Sequence, residues 1–238
     1  VIESRVESPL VPLRLFRLRN IAVSNVVGVL WAGSMFAWFF LSALYLQLVL
    51  GYSPLEVGLA FLPGNIIMGI LSISISAKLV MRFGIRLPLA VGLGLAALGL
   101  LLFARAPVDG NFVVDVLPAM ILLGLGAGMA FNPVLLAAMS DVEPTEAGLA
   151  SGVVNTSFMM GGALGLAVLA SLAAARTDTL LASGESQAEA LTGGYHVAFF
   201  VGALFAIAAA TLGGLLLRQG AYAVEHGGAE PDVAPEAA

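Results

Sequence analysis

"AGLASGVVNTSFMMGGALGLAVLASLAAA", residues 147–175, runs for 29 residues without a charged side chain. A helix crosses a bilayer with about 20 apolar residues, so this stretch is long enough to span one. Its interior is unusual for either a soluble or a lipid-bathed helix. Gly161, Gly162 and Gly165 fall within five residues, after Asn155, Thr156 and Ser157. Glycine in a soluble helix costs about 1 kcal/mol against alanine, and a lipid-facing helix has no use for an amide. Both features make sense in a membrane helix that packs against other helices. Small residues let two backbones approach closely, and polar groups at membrane depth face a bundle interior or a wetted cavity.

The rest of the chain supports the membrane reading. Of its 238 residues, 60% are hydrophobic and 11% charged, against about 25% charged in soluble domains. Every Asp, Glu, Lys and Arg lies outside six gaps at 20–55, 57–77, 87–104, 116–140, 147–175 and 190–217. Each gap holds one span, and the first also carries loop or interfacial helix. The runs do not alternate in polarity, which excludes a barrel. Six spans put both termini on one side. Arg5, Arg14, Arg17, Arg19, Lys78, Arg82, Arg86 and Arg218 share that side, while only Arg105 and Arg176 fall on the other. The excess of basic residues places both termini in the cytoplasm. The net charge of −5 argues against a nucleic-acid partner. The absence of cysteine removes disulfides, thiolate metal sites and a Cys nucleophile. No Ser-His-Asp set or metal cluster is visible. The glycines at 92–99 and 124–130 have no strand before them, so they are not nucleotide loops. The reading is a non-enzymatic protein without cofactor or metal.

Within the spans, Gly124 with Gly128 and Gly161 with Gly165 have GxxxG spacing and mark helix-packing faces; Gly94 and Gly99 are spaced more loosely. Gln47, Asn65, Asn132 and Asn155 are the amides in or near the spans, and each either lines a cavity or forms an interhelical hydrogen bond. Pro133 removes a backbone N–H and should bend its helix, as a gating feature or a static kink. Trp38, Ser42 and Tyr45, at i, i+4 and i+7, share one helix face; Trp31 and Ser34 continue it. No Asp or Glu lies inside a span; Glu56, Asp115 and His196 sit at span ends.

"LFRLRNIAVSN", "FFLSALYLQLVLGYSPLEVGLAFLP", "LVMRFGIR", "LLGLGAGMAFNP" and "EAGLASGVVNTSFMMGGALGLAVL" together resemble the major facilitator superfamily, in particular its fourteen-span drug:proton antiporter branch. The resemblance covers roughly residues 10 to 217 and implies that the six spans correspond to the last six helices of such a transporter. The Val start then reads as a fragment or processed product. The family's loop pattern G-x-x-x-D-R-x-G-R-R aligns with "AKLVMRFGIR". Arg82, Gly84 and Arg86 match, whereas Ala77, Met81 and Ile85 replace a Gly, the Asp and an Arg. Relatives often carry Arg-Gln after Asn-Thr-Ser, where this chain has Phe158 and Met159, a substitution that favours a greasier wall. The resemblance also implies that the first helix lines a central cavity, with Trp38, Ser42 and Tyr45 on that face. An aromatic belt and lipid contact is the alternative.

The expected fold is therefore all-α and polytopic, with six transmembrane helices forming the C-terminal half of a facilitator-type transporter. Residues 1–19 would be a cytoplasmic linker, 20–218 the bundle and 219–238 a disordered tail. The expected function is the C-terminal bundle of a proton-coupled efflux antiporter in the cell membrane, acting on hydrophobic drugs or metabolites. The expected partners are the missing N-terminal half, a small hydrophobic substrate and the lipid bilayer. The substrate-cavity candidates are Trp38, Ser42, Tyr45, Asn65, Asn132, Asn155 and Met159. The alternatives are a facilitator-type importer of a small metabolite, a six-span channel or a structural membrane protein.

Overall fold

The computed structural model describes residues 18–140, 142 and 144–217. The expected tail and, apart from Leu18 and Arg19, the expected linker lie outside the described residues, as do Arg5, Arg14, Arg17 and Arg218. The described residues fold entirely as helix and connecting turns. Six helices are long and apolar enough to cross a membrane: α1 Arg19–Val49, α2 Pro54–Phe83, α3 Arg86–Phe103, α4 Phe112–Met139, α5 Ala147–Ala182 and α6 Gln187–Leu216. Three contain one turn of π-helix, at Tyr45–Val49, Leu71–Ile75 and Phe112–Val116. Ser53 and Glu56 close a capping box at the start of α2, and Ser186 and Glu189 do the same for α6. Gly84, at φ +74°, turns the chain from α2 into α3.

The helices form two sets of three. The first helix of each set is flanked by the second and third helices of the other: α1 by α5 and α6, α4 by α2 and α3. The third helices, α3 and α6, pack together at the back. Lipid supplies no hydrophobic drive for such packing, so close backbone approach and hydrogen bonds must hold it. The glycines supply the approach. On α1 and α5, Gly33 lies against Gly165 and Val29 against Gly161; a Cβ added to Gly161 would fall 2.5 Å from Val29 Cα. On α2 and α4, Gly64 lies against Gly124, and a Cβ on Gly128 would sit 2.8 Å from the Met68 carbonyl. The two seams correspond in their place within the two sets, with one Gly–Gly contact each. Gly99 differs from its expectation as a loosely packed glycine. A Cβ there would meet Leu123 Cγ at 2.6 Å, because α3 presses on α4 along its whole glycine face, whereas Gly94 points into open space.

Several polar side chains inside the bundle spend their donors on backbone carbonyls, whereas Ser24 Oγ, Trp31 Nε1, Trp38 Nε1 and Ser76 Oγ are buried without a partner. Ser34 Oγ donates to Gly202 O at 2.8 Å, tying α1 to α6. Asn132 Nδ2 donates to Ser72 O at 2.7 Å. That carbonyl lies in the π turn of α2, where the regular i→i−4 ladder is interrupted. α4 runs unbroken as helix through Pro133. At the end of the bundle where α1 starts and α6 stops, Arg19 Nε donates to Leu216 O at 2.9 Å and Arg86 Nε donates to Leu217 O. Two guanidinium groups thus cap the last carbonyls of α6, where positive charge also meets the negative end of the helix dipole.

Trp38, Ser42 and Tyr45 require a correction. They are 1%, 0% and 1% exposed, inside the bundle. The Trp38 ring packs on Phe39 and Phe61, with centroids 4.2 and 6.2 Å away. Ser42 Oγ bonds back to Trp38 O, and Tyr45 OH donates to Pro107 O at 2.6 Å, holding the loop after α3. The open face of α1 carries Val26, Val29, Phe36, Phe40 and Gln47 instead, and Phe36 lies about 200° around the helix from Trp38. α2 and α5 are the least covered helices. Leu55, Leu59, Leu62, Ile66, Ile70 and Ile73 form an exposed apolar stripe down α2.

Candidate functional site

α1, α4 and α5 diverge toward the α1 N-terminal end and leave a cavity of about 480 Å³. Trp31 forms its floor on α1, Phe131 and Val134 one wall on α4, and Gly152, Asn155 and Phe158 the other on α5. α5 is in close contact with α1 but only lightly with α4. The gap follows from the glycine seam, which draws α5 onto α1 further along, at Gly161 and Gly165. Gly148 and Gly152 present no side chains and keep the mouth open.

The walls are mainly hydrocarbon and aromatic, with few polar groups. Trp31 is fully buried, and its indole N–H has no hydrogen-bond partner. A buried unpaired donor costs about 1–3 kcal/mol, and Ser24 Oγ, Trp38 Nε1 and Ser76 Oγ are buried without a partner away from this cavity as well. Asn155 is exposed on α5 and makes no hydrogen bond to another described residue, leaving its amide free to donate and accept. This combination, a greasy pocket with one or two convergent polar groups, is the usual form of a small-molecule site.

The other candidates are dispersed. Met159 is 48% exposed on α5, one turn beyond Asn155, and lies outside the cavity wall. Asn65 is exposed on α2 beside the outward Ile66, and Asn132 is engaged with Ser72 as described. Arg82 is exposed, with its guanidinium carbon 5.3 Å from the centroid of the Phe83 ring. Gly84 makes the turn and Arg86 caps α6. Trp31 was read from the sequence only as an extension of the Trp38 face, and it is the one residue of that face that reaches the cavity. Phe131 went unnoticed, since a phenylalanine in a membrane span carries no signal until a second helix faces it. No cluster of three or more metal-ligating side chains occurs among the described residues.

Comparison with known proteins gives the same architecture a family. The Major Facilitator Superfamily profile matches residues 3–166. The chain is 34% identical to the cephamycin export protein of Amycolatopsis lactamdurans over 89% of its own length and 42% of that protein's. It is 36% identical to the puromycin resistance protein of Streptomyces alboniger over 86% and 42%. With the lincomycin resistance protein of Streptomyces lincolnensis it shares 38% identity over 72% and 35%. The chain thus spans about two fifths of the length of the first two of these relatives. With six membrane-crossing helices in two interlocked sets of three, this multi-pass membrane protein belongs to the Major Facilitator Superfamily.

Proposed function

We propose that the chain is the C-terminal bundle of an efflux transporter that moves hydrophobic drugs or metabolites out of the cell, with both termini in the cytoplasm. The observation that carries this reading is the cavity between α1, α4 and α5, with its apolar walls, the buried Trp31 ring at its floor and the free, exposed Asn155 amide. Such a site takes a largely apolar molecule bearing a carbonyl or ether oxygen. The relatives support the direction of transport, since they are an export protein and resistance proteins by name. The bundle would work by rocking against a second bundle seated over the open faces of α1, α2, α4 and α5. Met159 and Gln47 would border the space between the two bundles. Lys78 and Arg82 would face anionic headgroups at the cytoplasmic surface.

Efflux of this kind would be driven by protons. A proton-coupling carboxylate must be reached from each side of the membrane in turn. Here Glu56 and Asp115 stand in the first turns of α2 and α4, away from the cavity, so the coupling acid belongs to the other bundle. The test uses the full-length transporter expressed in an efflux-deficient host, with puromycin and ethidium accumulation measured at equal protein level. Asn155→Ala should change the ratio of the two, because only substrates that use the amide lose from its removal. If accumulation of both rises by one common factor, Asn155 is a structural residue and the cavity is not the binding site.

A further inference from the structure

A second hollow follows the cavity along the seam between α1 and α5. It measures about 550 Å³ and is walled by Met35, Phe36, Phe39, Phe40, Ala43 and Leu166. The cavity ends at Phe158 and the second hollow at Phe36, and these two rings meet edge-on, with centroids 6.3 Å apart and planes at 70°. Phe131 braces Phe158 from the other side at 6.0 Å and 88°. Behind the rings the seam is shut by the contacts of Gly33 with Gly165 and Val29 with Gly161. Gly162 lets the Phe36 ring lie directly on α5, since a Cβ there would come within 2.8 to 2.9 Å of three ring atoms. Both rings are half-buried; Phe158 packs against the edge of the bundle core and Phe36 against α5 at Gly162.

The geometry points to the Phe36–Phe158 pair as the constriction between the two hollows, and as the element that selects flat aromatic bodies for passage; the selection clause rests on the efflux reading above. Ring pairs prefer edge-to-face or offset contact because the ring edge is positive and the face negative. A flat aromatic body sliding between Phe36 and Phe158 replaces the contact that it breaks with two of the same kind. A globular or branched body parts the rings and returns only dispersion. Rotation of half-exposed rings is fast, so the pair passes a guest without movement of the helices.

Two measurements on the full-length transporter test this, after removal of any cysteines from its other half; this half has none. Asn155→Cys places a thiol in the first cavity, and a membrane-impermeant thiol reagent is applied from the face opposite the termini. Phe36→Ala with Phe158→Ala should raise the labelling rate about tenfold, the rate equivalent of the lost ring contacts. Labelling from the terminal face should stay unchanged and show that the bundle is intact. Phe36→Leu with Phe158→Leu keeps bulk without the rings and guards against misfolding. In the second measurement, efflux of flat ethidium is compared with that of a globular, ring-free cation, tetrabutylammonium, and the leucine pair should lower the ratio severalfold. An unchanged labelling rate overturns the constriction, and an unchanged ratio overturns the selection. If the parent exports no ethidium, the efflux reading and the selection fall together, while labelling still decides the constriction.

Discussion

Gly161→Ala and Gly94→Ala add the same methyl group to two membrane helices and should move stability in opposite directions. At Gly161 the new Cβ would lie 2.5 Å from Val29 Cα, 2.9 Å from Val29 O and 3.0 Å from Val29 Cβ. Carbon atoms rest about 3.5–4.0 Å apart. The obstacle is backbone, so no rotamer change relieves it, and α1 and α5 must part by about 1 Å. A gap of that size forfeits a quarter to a half of the dispersion energy of the contacts it opens. It opens them along a seam that includes the Gly33–Gly165 approach. Overpacking of this kind costs about 1–3 kcal/mol, offset by at most about 1 kcal/mol from the better helix propensity of alanine. With the full offset, the net expectation is a loss of up to about 2 kcal/mol. At Gly94 nothing lies within 4 Å, only the propensity term remains, and alanine should stabilise by up to about 1 kcal/mol. Thermal unfolding of the purified full-length transporter in detergent, followed by loss of its monodisperse gel-filtration peak, reads both variants. Equal midpoints for the two would refute the claim that the α1–α5 seam depends on backbone contact at glycine.

Arg86→Ala should speed hydrogen exchange at the last amides of α6, near Gly213 and Leu217, and cost about 1–2 kcal/mol, because it removes a charged donor from the Leu217 carbonyl. Unchanged exchange there would leave Arg86 as a topology signal only. Trp38→Ala should cost about 3–5 kcal/mol of stability as a cavity in a packed core, whereas Phe40→Ala, on the open face, should change stability little. Comparable losses in thermal unfolding for the two variants would place Trp38 back on the surface.

The six helices were legible because charge is costly at membrane depth and the chain excludes it from six gaps. The gaps mark the hydrocarbon thickness better than the helix ends. α2 continues past Lys78 to Phe83, and α5 continues past Arg176 and Asp178 to Ala182, since long charged side chains can reach the interface from a helix that has already left the hydrocarbon. In the structure Gly124 and Gly128 lie against the α2 backbone, and Gly161 and Gly165 against that of α1. Their partners, Gly64 and Gly33, carry no GxxxG spacing and could not be assigned, because a close approach needs two helices and a sequence shows one at a time. The π turns were invisible for the same reason. One of them presents the Ser72 carbonyl to Asn132, a hydrogen bond to a residue sixty positions away that no local pattern announces.

The misreading of α1 follows from where hydroxyls go in a low-dielectric bundle. On a soluble surface, serines and tyrosines near tryptophans suggest a wet recognition face. In lipid a hydroxyl has no water to fall back on and takes the nearest carbonyl. Ser42 takes that of Trp38, Ser34 that of Gly202 and Tyr45 that of Pro107. Once satisfied, these groups are cheap to bury, and the face that carries them becomes the packed one. The hydrocarbon side chains of Val26 and Phe40, beside the α5 seam that takes Val29 and Phe36, can stay exposed because lipid, an apolar guest or a second apolar bundle covers them at no electrostatic cost. Polarity therefore marks the inside of this bundle mainly where a backbone acceptor lies within reach, although Ser24 Oγ, Trp38 Nε1 and Ser76 Oγ are buried without one. Asn155 differs from all of these: it lines the cavity, is exposed, and has no partner among the described residues.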